Sequence, residues 1–560
     1  MSNFTAVIAK SPKETWQSID PSIALSALLC INMYDIIYNS TMKSINLQSD
    51  ISIAKRALVL AIVYFLLFNS AMLLYKFSYY KAGNSLAFAE LSKESLYILV
   101  MLFLSFLGFS INNILLKIYS IFLYSTGAFV SYYIYAMKIL PTKQMVKAVF
   151  DVESLEAYEL VSIRMILWVI ISIVICIYLL RKFDTKDVAN KFIKFLLFIL
   201  FISSIANIIT PFYRLFTSHL PINYLHNTYH YFLGRFDINE RADISQNNSF
   251  ASNTPDDLVV VLVIGESARY DHLSINGYKR NTTPRLSSIP NIHSYECEAS
   301  SNMTYLSVSS LLSRLPATEL EQSLNETSLL SIFTKLNFNT VWIGTQSLTK
   351  YFRDKSSSIY DEVNMAIIPG GSALYALSSY DEVMIPYLES ALEKNTKSLI
   401  VLHPTGSHWN YAARYPKNFA YFTPGCEELS GKVDHSACGY ERLINSYDNS
   451  ILYTDHVLGE IIEKLKHKNA FLIYVSDHAE SLGENGFYGH GSNEIPTEQK
   501  IVPLIAWFSD KYLANNPDFR YISERRILSH DNIFHSILDC ANIQSHIIDK
   551  HLSICTKPVA

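Results

Sequence analysis

"NAFLIYVSDHAESLGENGFYGHG", residues 469–491, opens as an unbroken apolar run and closes on Asp477, His478, Glu480, Glu484 and His490 spaced by glycine. An apolar run of this length, ended by turn-forming residues, reads as a strand buried on both faces, as in a parallel sheet. The glycine-rich stretch that follows can fold back on itself, and its carboxylates and imidazoles are ligand types that zinc prefers. Taken alone, the stretch is equally an acidic surface loop, and an Asp-His pair after a strand is more often structural than catalytic. What separates the two readings is whether partners lie elsewhere in the chain.

They do. "LVVVLVIGES" (258–267), "NTVWIGTQ" (339–346), "SLIVLHPTGSH" (398–408) and "VPLIAWFS" (502–509) repeat the theme of an apolar run ending in reactive side chains. Helical patterns such as 443–467 lie between them, so the segment from 257 to 560 predicts an α/β domain with a mainly parallel sheet covered on both faces. In such sheets ligands gather outside the carboxyl ends of the strands. That places Glu266, His408, Asp477, His478 and His490 on one rim, joined by Thr304 from "SSNMTYLSVSSLLSRL". Each has a plainer reading: Gly-Glu-Ser as a helix-start turn, Thr304 as one hydroxyl among many at a helix N-terminus, His408 as a strand cap. Their joint position at successive strand ends is what argues for a site.

The first part of the chain is of another kind. Of 560 residues 50% are hydrophobic and 17% charged, and the apolar excess is concentrated before about residue 212. Five runs, 57–76, 95–115, 119–139, 161–180 and 192–211, are long enough to cross a bilayer, and 22–38, interrupted by Asn32 and Asp35, reads as a buried or interfacial helix. Lys55 and Arg56 before the first run, and Arg181, Lys182, Lys186, Lys191 and Lys194 before the last, place both positions on the cytoplasmic side. Everything after 212 is then expected outside the cytoplasm. No cleavable signal peptide is evident. Residues 212–240 mix aromatics with Arg, His and Asn and suit a helix lying at the membrane interface, and 241–257 reads as a polar linker. The expected division is 1–56 cytoplasmic or interfacial, 57–211 transmembrane, 212–256 bridge and linker, 257–560 catalytic domain.

A net charge of −4 gives no sign of nucleic-acid binding. Of the seven cysteines, Cys30 and Cys176 fall in apolar segments, and the other five lie in the outer part, where disulfides persist. Cys426 and Cys438 are the favoured pair, with Cys540 and Cys555 a second candidate.

The stretches "VIGESARYDHLSINGYKRNTTPRL", "NMTYLSVSSLLS", "HPTGSHWNY", "NSYDNSILYTD", "SDHAESLGENGFYGHG" and "SHDNIFHSIL" resemble, in order, the motifs of bacterial phosphoethanolamine transferases. These are inner-membrane enzymes of the alkaline phosphatase-like (sulfatase) superfamily that modify lipopolysaccharide, including the group that confers polymyxin resistance. The resemblance implies an N-terminal domain of about five transmembrane helices followed by a periplasmic, sulfatase-type α/β domain. It implies transfer of phosphoethanolamine from phosphatidylethanolamine to lipid A or a core sugar through a phosphothreonine. By the same resemblance Glu266, Thr304, Asp477 and His478 match zinc ligands, with Thr304 also the nucleophile, since a hydroxyl beside such an ion loses its proton more easily. His408 and His490 match histidines that bind a second zinc or the substrate phosphate. Glu480 matches an acidic residue near the ethanolamine amine, and Gln346 and Lys350 line the substrate pocket. Two departures stand out: Ala479 replaces the usual glycine, and no cysteine adjoins Thr304, which shifts weight toward a core-sugar or protein acceptor. The rival readings are a phosphoglycerol transferase with the same constellation and a membrane-anchored binding protein with a degenerate site.

Overall fold

A computed structural model describes the chain except for residues 1–48, 80–84, 152–160, 184–190, 210–218, 235–240, 347–356, 372–378, 395, 429–437, 493–494, 522–526 and 557–560. The segment 22–38 and Lys350 lie outside the described residues. The chain divides into two compact units, one of apolar helices up to Tyr231, the other running from Phe232 to the end and including 148–162.

The first unit is helical: α1 (Ser49–Tyr64), a π turn (Phe65–Asn69), α2 (Ser70–Tyr79), α3 (Ser85–Phe109), α4 (Asn113–Met137), α5 (Lys143–Asp151, most of it in this unit), α6 (Ile163–Lys182), α7 (Lys191–Ile209) and α8 (Ile222–Gly234). Four stretches among the described residues are long and apolar enough to span a bilayer: Ser52–Leu74, Leu91–Phe109, Asn113–Met137 and Ile163–Lys182. They fall on the first four expected spans. The fifth falls on α7, whose apolar stretch Leu196–Ala206 is shorter. The run expected at 95–115 ends sooner, because Asn112 caps α4 by accepting from the backbone N–H of Ile114 and Leu115 and so breaks the helix there. Arg56, 2% exposed, bonds Asn113 Oδ1 at 2.5 Å and the Leu180 carbonyl at 3.4 Å. The starts of α1 and α4 and the end of α6 therefore share one face, next to the basic Arg181 and Lys182. This alternation of helix ends is that of an integral membrane protein.

The second unit is built on an eight-stranded sheet. Its strands in chain order are β1 (Leu258–Gly265), β2 (Ile292–Glu298), β3 (Asn339–Gly344), β4 (Met365–Ile367), β5 (Ser398–His403), β6 (Asn469–Ser476), β7 (Ile501–Phe508) and β8 (Leu528–Ser529). Their spatial order is β8-β2-β7-β6-β1-β5-β3-β4. Strand β1 is buried along its whole length, and its residues alternate between two cores: Leu258, Val260, Leu262 and Ile264 on one face, Val259, Val261 and Val263 on the other. A strand apolar at every position is what a sheet covered on both sides requires. Strands β1, β3, β4, β5 and β6 run parallel. The exception is β7, the "VPLIAWFS" run, which is antiparallel to both β6 and β2. Two reversals restore the direction of β2, so the carboxyl ends of β1, β2, β3, β5 and β6 all meet at one edge.

Helix α9 (Thr304–Leu311) follows β2, and the long α10 (Tyr440–Leu465) packs its buried Leu443, Tyr447, Ile451 and Ile461 in the second core. Residues 241–257, read as a linker, are instead tied into this unit: Arg241 pairs with Glu362, and Ala251–Ser252 pairs antiparallel with Ile543–Gln544. Short polar pieces with no periodicity gave no hint of these distant partners. Cys426–Cys438 and Cys540–Cys555 are disulfides, and Cys176 and Cys297 are free and buried.

Candidate active site

Strand β1 ends at Gly265, where a Cβ would lie 2.4 Å from the Tyr474 hydroxyl, so the backbone can turn there only without a side chain. Glu266 follows, 1% exposed. Its Oε1 accepts from Ser267 Oγ at 2.6 Å and its Oε2 from Gln346 Nε2, at the end of β3, at 2.8 Å. Thr304 Oγ1, in the first turn of α9, lies 3.3 Å from Glu266 Oε2 and 3.3 Å from His478 Nε2. From the end of β6, His478 Nε2 is 3.4 Å from Glu266 Oε1 and 3.5 Å from Asp477 Oδ2. The His490 ring stands 4.1 Å from that of His478 and 5.6 Å from that of His408. Four strand ends, with the loop after β6, and one helix thus deliver Glu266, Thr304, Gln346, His408, Asp477, His478 and His490 to one place.

The electrostatics are those of a buried cation site. Glu266, Asp477 and His478 are at most 1% exposed. Burial would raise the Glu266 carboxyl, but the imidazoles of His478, His408 and His490 hold it below the usual carboxylate range. Burial and the Glu266 charge push Asp477 well above that range. Burial holds the His478 imidazole down to about 4. Asp477 Oδ2 is buried with no hydrogen-bond partner among the described residues. Adjacent carboxylates cannot both ionise in such surroundings unless a cation neutralises them. Among the described residues, Glu266, His478 and His490 bring one ligand atom each within 4.8 Å of one another. Hard carboxylate and borderline imidazole donors together fit a divalent metal ion.

Several supports were not singled out in the sequence. Ser267, at φ 59°, occupies the left-handed region uncommon for a non-glycine residue. It is held there because its Oγ donates to Glu266, its N–H to Asp477 Oδ1 at 3.3 Å, and its carbonyl accepts from Tyr447 OH at 2.6 Å. Asp381, 5% exposed, accepts from Thr345 Oγ1 at 2.9 Å and from the N–H groups of Thr405 and Gly406 at 2.8 and 2.9 Å. It thereby shapes the loop whose Ser407 N–H bonds the Glu266 carbonyl at 3.0 Å. Gly406, at φ 55°, is required in that loop, since a Cβ would come within 2.9 Å of the same carbonyl. Glu480, expected near the substrate amine, is wholly buried, with Oε1 3.2 Å from His490 Nδ1.

The sulfatase family profile matches residues 259–543, just over half of the chain, and the profile described as phosphoethanolamine transferase EptA/EptB matches 98–234. The chain is 32% identical over 314 residues to the Kdo(2)-lipid A phosphoethanolamine 7''-transferase of Salmonella typhimurium, covering 53% of this chain and 54% of that protein. The match thus spans about half the length of that curated relative. It is 26% identical over 491 residues to the phosphoethanolamine transferase EptA of Escherichia coli K12, covering 80% of this chain and 88% of the relative. In fold it is similar to the integral membrane lipooligosaccharide phosphoethanolamine transferase A of Neisseria meningitidis, with a TM-score of 0.72, 21% identity, and coverage of 91% of this chain and 99% of that one. The chain belongs to the sulfatase family.

Proposed function

We propose that this protein moves phosphoethanolamine from phosphatidylethanolamine to the lipid A part of lipopolysaccharide, with zinc as its metal and Thr304 as the covalent carrier. The observation that carries the reading is Thr304 Oγ1, 3.3 Å from both Glu266 and His478 at the start of α9. The names of the relatives support the transferred group and the acceptor.

When bound by Glu266, Thr304, Asp477 and His478, the ion lowers the pKa of a nearby hydroxyl and neutralises charge on a phosphoryl group. Thr304 Oγ1 attacks the phosphorus of the donor. A threonine O–P bond forms, the bond from phosphorus to the glycerol oxygen breaks, and diacylglycerol leaves as the alcohol. His490, oriented by Glu480, is placed to give the departing oxygen its proton, and His408 is placed to hold a phosphoryl oxygen. Backbone N–H groups at the N-terminus of α9 favour the same anion. In the second step a lipid A phosphate oxygen attacks the phosphothreonine, Thr304 leaves, and its hydroxyl is regenerated. Such a scheme fits an enzyme of the bacterial inner membrane with its catalytic unit in the periplasm, where both lipids are within reach.

The test is diacylglycerol release by the purified, zinc-loaded full-length protein. Phosphatidylethanolamine should support it and phosphatidylglycerol should not, and Thr304→Ala should abolish it. Wild-type release by Thr304→Ala would rule out the carrier role.

A further inference from the structure

The helical unit holds a second polar cluster that the transfer chemistry leaves unused. Lys76 Nζ lies 2.8 Å from Glu94 Oε2 and 3.3 Å from His219 Nε2, and His219 Nε2 lies 3.4 Å from the same Glu94 oxygen. His219 is 1% exposed, while the Lys76 and Glu94 side chains keep 23% and 18% of their surface. Glu94 stands within the span Leu91–Phe109, and Lys76 lies just past Leu74. Ionisable groups in apolar helices are costly, and where they persist they mark binding or transport sites. The cluster lies about 30 Å along the α1–α2 helix from Arg56, hence near the opposite end of the span.

Beside it is a cavity of about 80 Å³ among α3, α7 and the start of α8, lined by Ile98, Leu102, Leu200, His219, Leu220 and Leu225. The chain segment forming its wall is pinned inside the bundle. Buried Asn69, in the π turn, donates to the Leu220 carbonyl at 3.0 Å and accepts from the Leu220 N–H at 3.2 Å. His219 belongs both to the polar cluster and to the cavity wall, so the two form one amphipathic site.

We propose that this site holds a phospholipid with a primary-amine headgroup, phosphatidylethanolamine, before transfer. One cation, one anion and one imidazole complement a zwitterion: the lipid phosphate takes Lys76 and His219, the ammonium takes Glu94, and the upper part of one acyl chain enters the cavity. The Lys76–Glu94 pair opens, and two ion pairs replace one. A primary ammonium brings three N–H donors to Glu94, as a lysine does. A choline headgroup brings none, and phosphatidylglycerol has no cation to offer. This inference rests on the proposed phosphatidylethanolamine reading and extends it from the chemical step to capture of the donor.

The test uses the full-length protein carrying Thr304→Ala, which separates retention from turnover. The protein is incubated in detergent with equimolar phosphatidylethanolamine, phosphatidylcholine and phosphatidylglycerol, and retained lipid is read by native mass spectrometry. Phosphatidylethanolamine should be retained preferentially. Glu94→Gln in that background should lower its retention roughly tenfold, the effect of losing one charge-assisted bond, and Glu94→Asp should keep most of it. Ile98→Trp, which fills the cavity and leaves the polar cluster intact, should also lower retention, and it serves as the test should Glu94→Gln fold poorly by melting temperature. Equal retention of the three lipids, or unchanged retention in either variant, overturns the proposal. Failure of the transfer reading appears separately, as an unmodified Thr304 in wild-type protein given the same lipid.

Discussion

Asp381 bonds none of the proposed metal ligands directly, yet it shapes the loop that holds the Glu266 backbone. Replacing it by alanine removes three hydrogen bonds and strands the N–H groups of Thr405 and Gly406 in a buried position. Each buried donor left unsatisfied costs about 1–3 kcal/mol, so Asp381→Ala should cost about 4 kcal/mol in all. In a domain of this size that corresponds to a fall in melting temperature of roughly 8 °C. The consequence should reach the metal, because the same loop bonds the Glu266 carbonyl through the Ser407 N–H. Asp381→Asn keeps one acceptor oxygen and should fall between wild type and alanine in both respects. The assay is fluorescence-monitored melting of the full-length protein in detergent, with zinc affinity measured by competition with a chelating dye. The reasoning fails if Asp381→Ala melts within 2 °C of wild type, a margin set at about a quarter of the expected shift, or if it melts lower with zinc affinity unchanged.

Other outcomes follow from groups outside the metal set. Burial holds the His403 and His530 imidazoles down to about 4. Their folded pKa lies below the unfolded value of about 6.5, so the folded chain binds fewer protons between pH 4 and 6.5, and stability is lost as pH falls through that window. Each contributes up to about 3 kcal/mol. Because both His403 ring nitrogens lack hydrogen-bond partners among the described residues, His403→Phe should gain on wild type in melting temperature from pH 7 to pH 5; a constant gap contradicts this. The Cys540–Cys555 disulfide closes a separation of 15 residues, worth about 3 kcal/mol by loop closure, so Cys540→Ser should melt lower while retaining zinc. Asp448, wholly buried on α10, bonds His272 Nδ1 at 2.7 Å, Tyr278 OH at 2.9 Å and Arg280 at 2.9 Å. Asp448→Leu should destabilise by about 1–3 kcal/mol by leaving the buried His272 Nδ1 without its partner, measurable by denaturant melting.

The rim of the sheet was legible because β1, β5 and β6 are nearly apolar runs that lead into ligand-type side chains. Glu266, Asp477 and His478 could be placed from that pattern alone. The direction of β7 was not legible, since an apolar run carries no sign of polarity, and Pro503 within it gave no decisive cue. Asp381 was missed because its partners, Thr345, Thr405 and Gly406, lie 24 to 36 residues away and meet only at the ends of β3 and β5. Ser267 stood in view inside the Gly-Glu-Ser stretch, but its role depends on a left-handed φ that sequence patterning does not report. Glu480 was read by position in a motif, which did not indicate its burial against His490. The polar cluster of Lys76, Glu94 and His219 was hidden because its members come from three separate segments, two of them otherwise ordinary helices.

The most direct test of the central claim is peptide mass spectrometry of the zinc-loaded, full-length protein after exposure to phosphatidylethanolamine or to phosphatidylglycerol. The account predicts a phosphoethanolamine adduct on the peptide bearing Thr304 with the first lipid and no adduct with the second. A phosphoglycerol adduct there, or an unmodified Thr304 in protein shown to hold zinc, would contradict it.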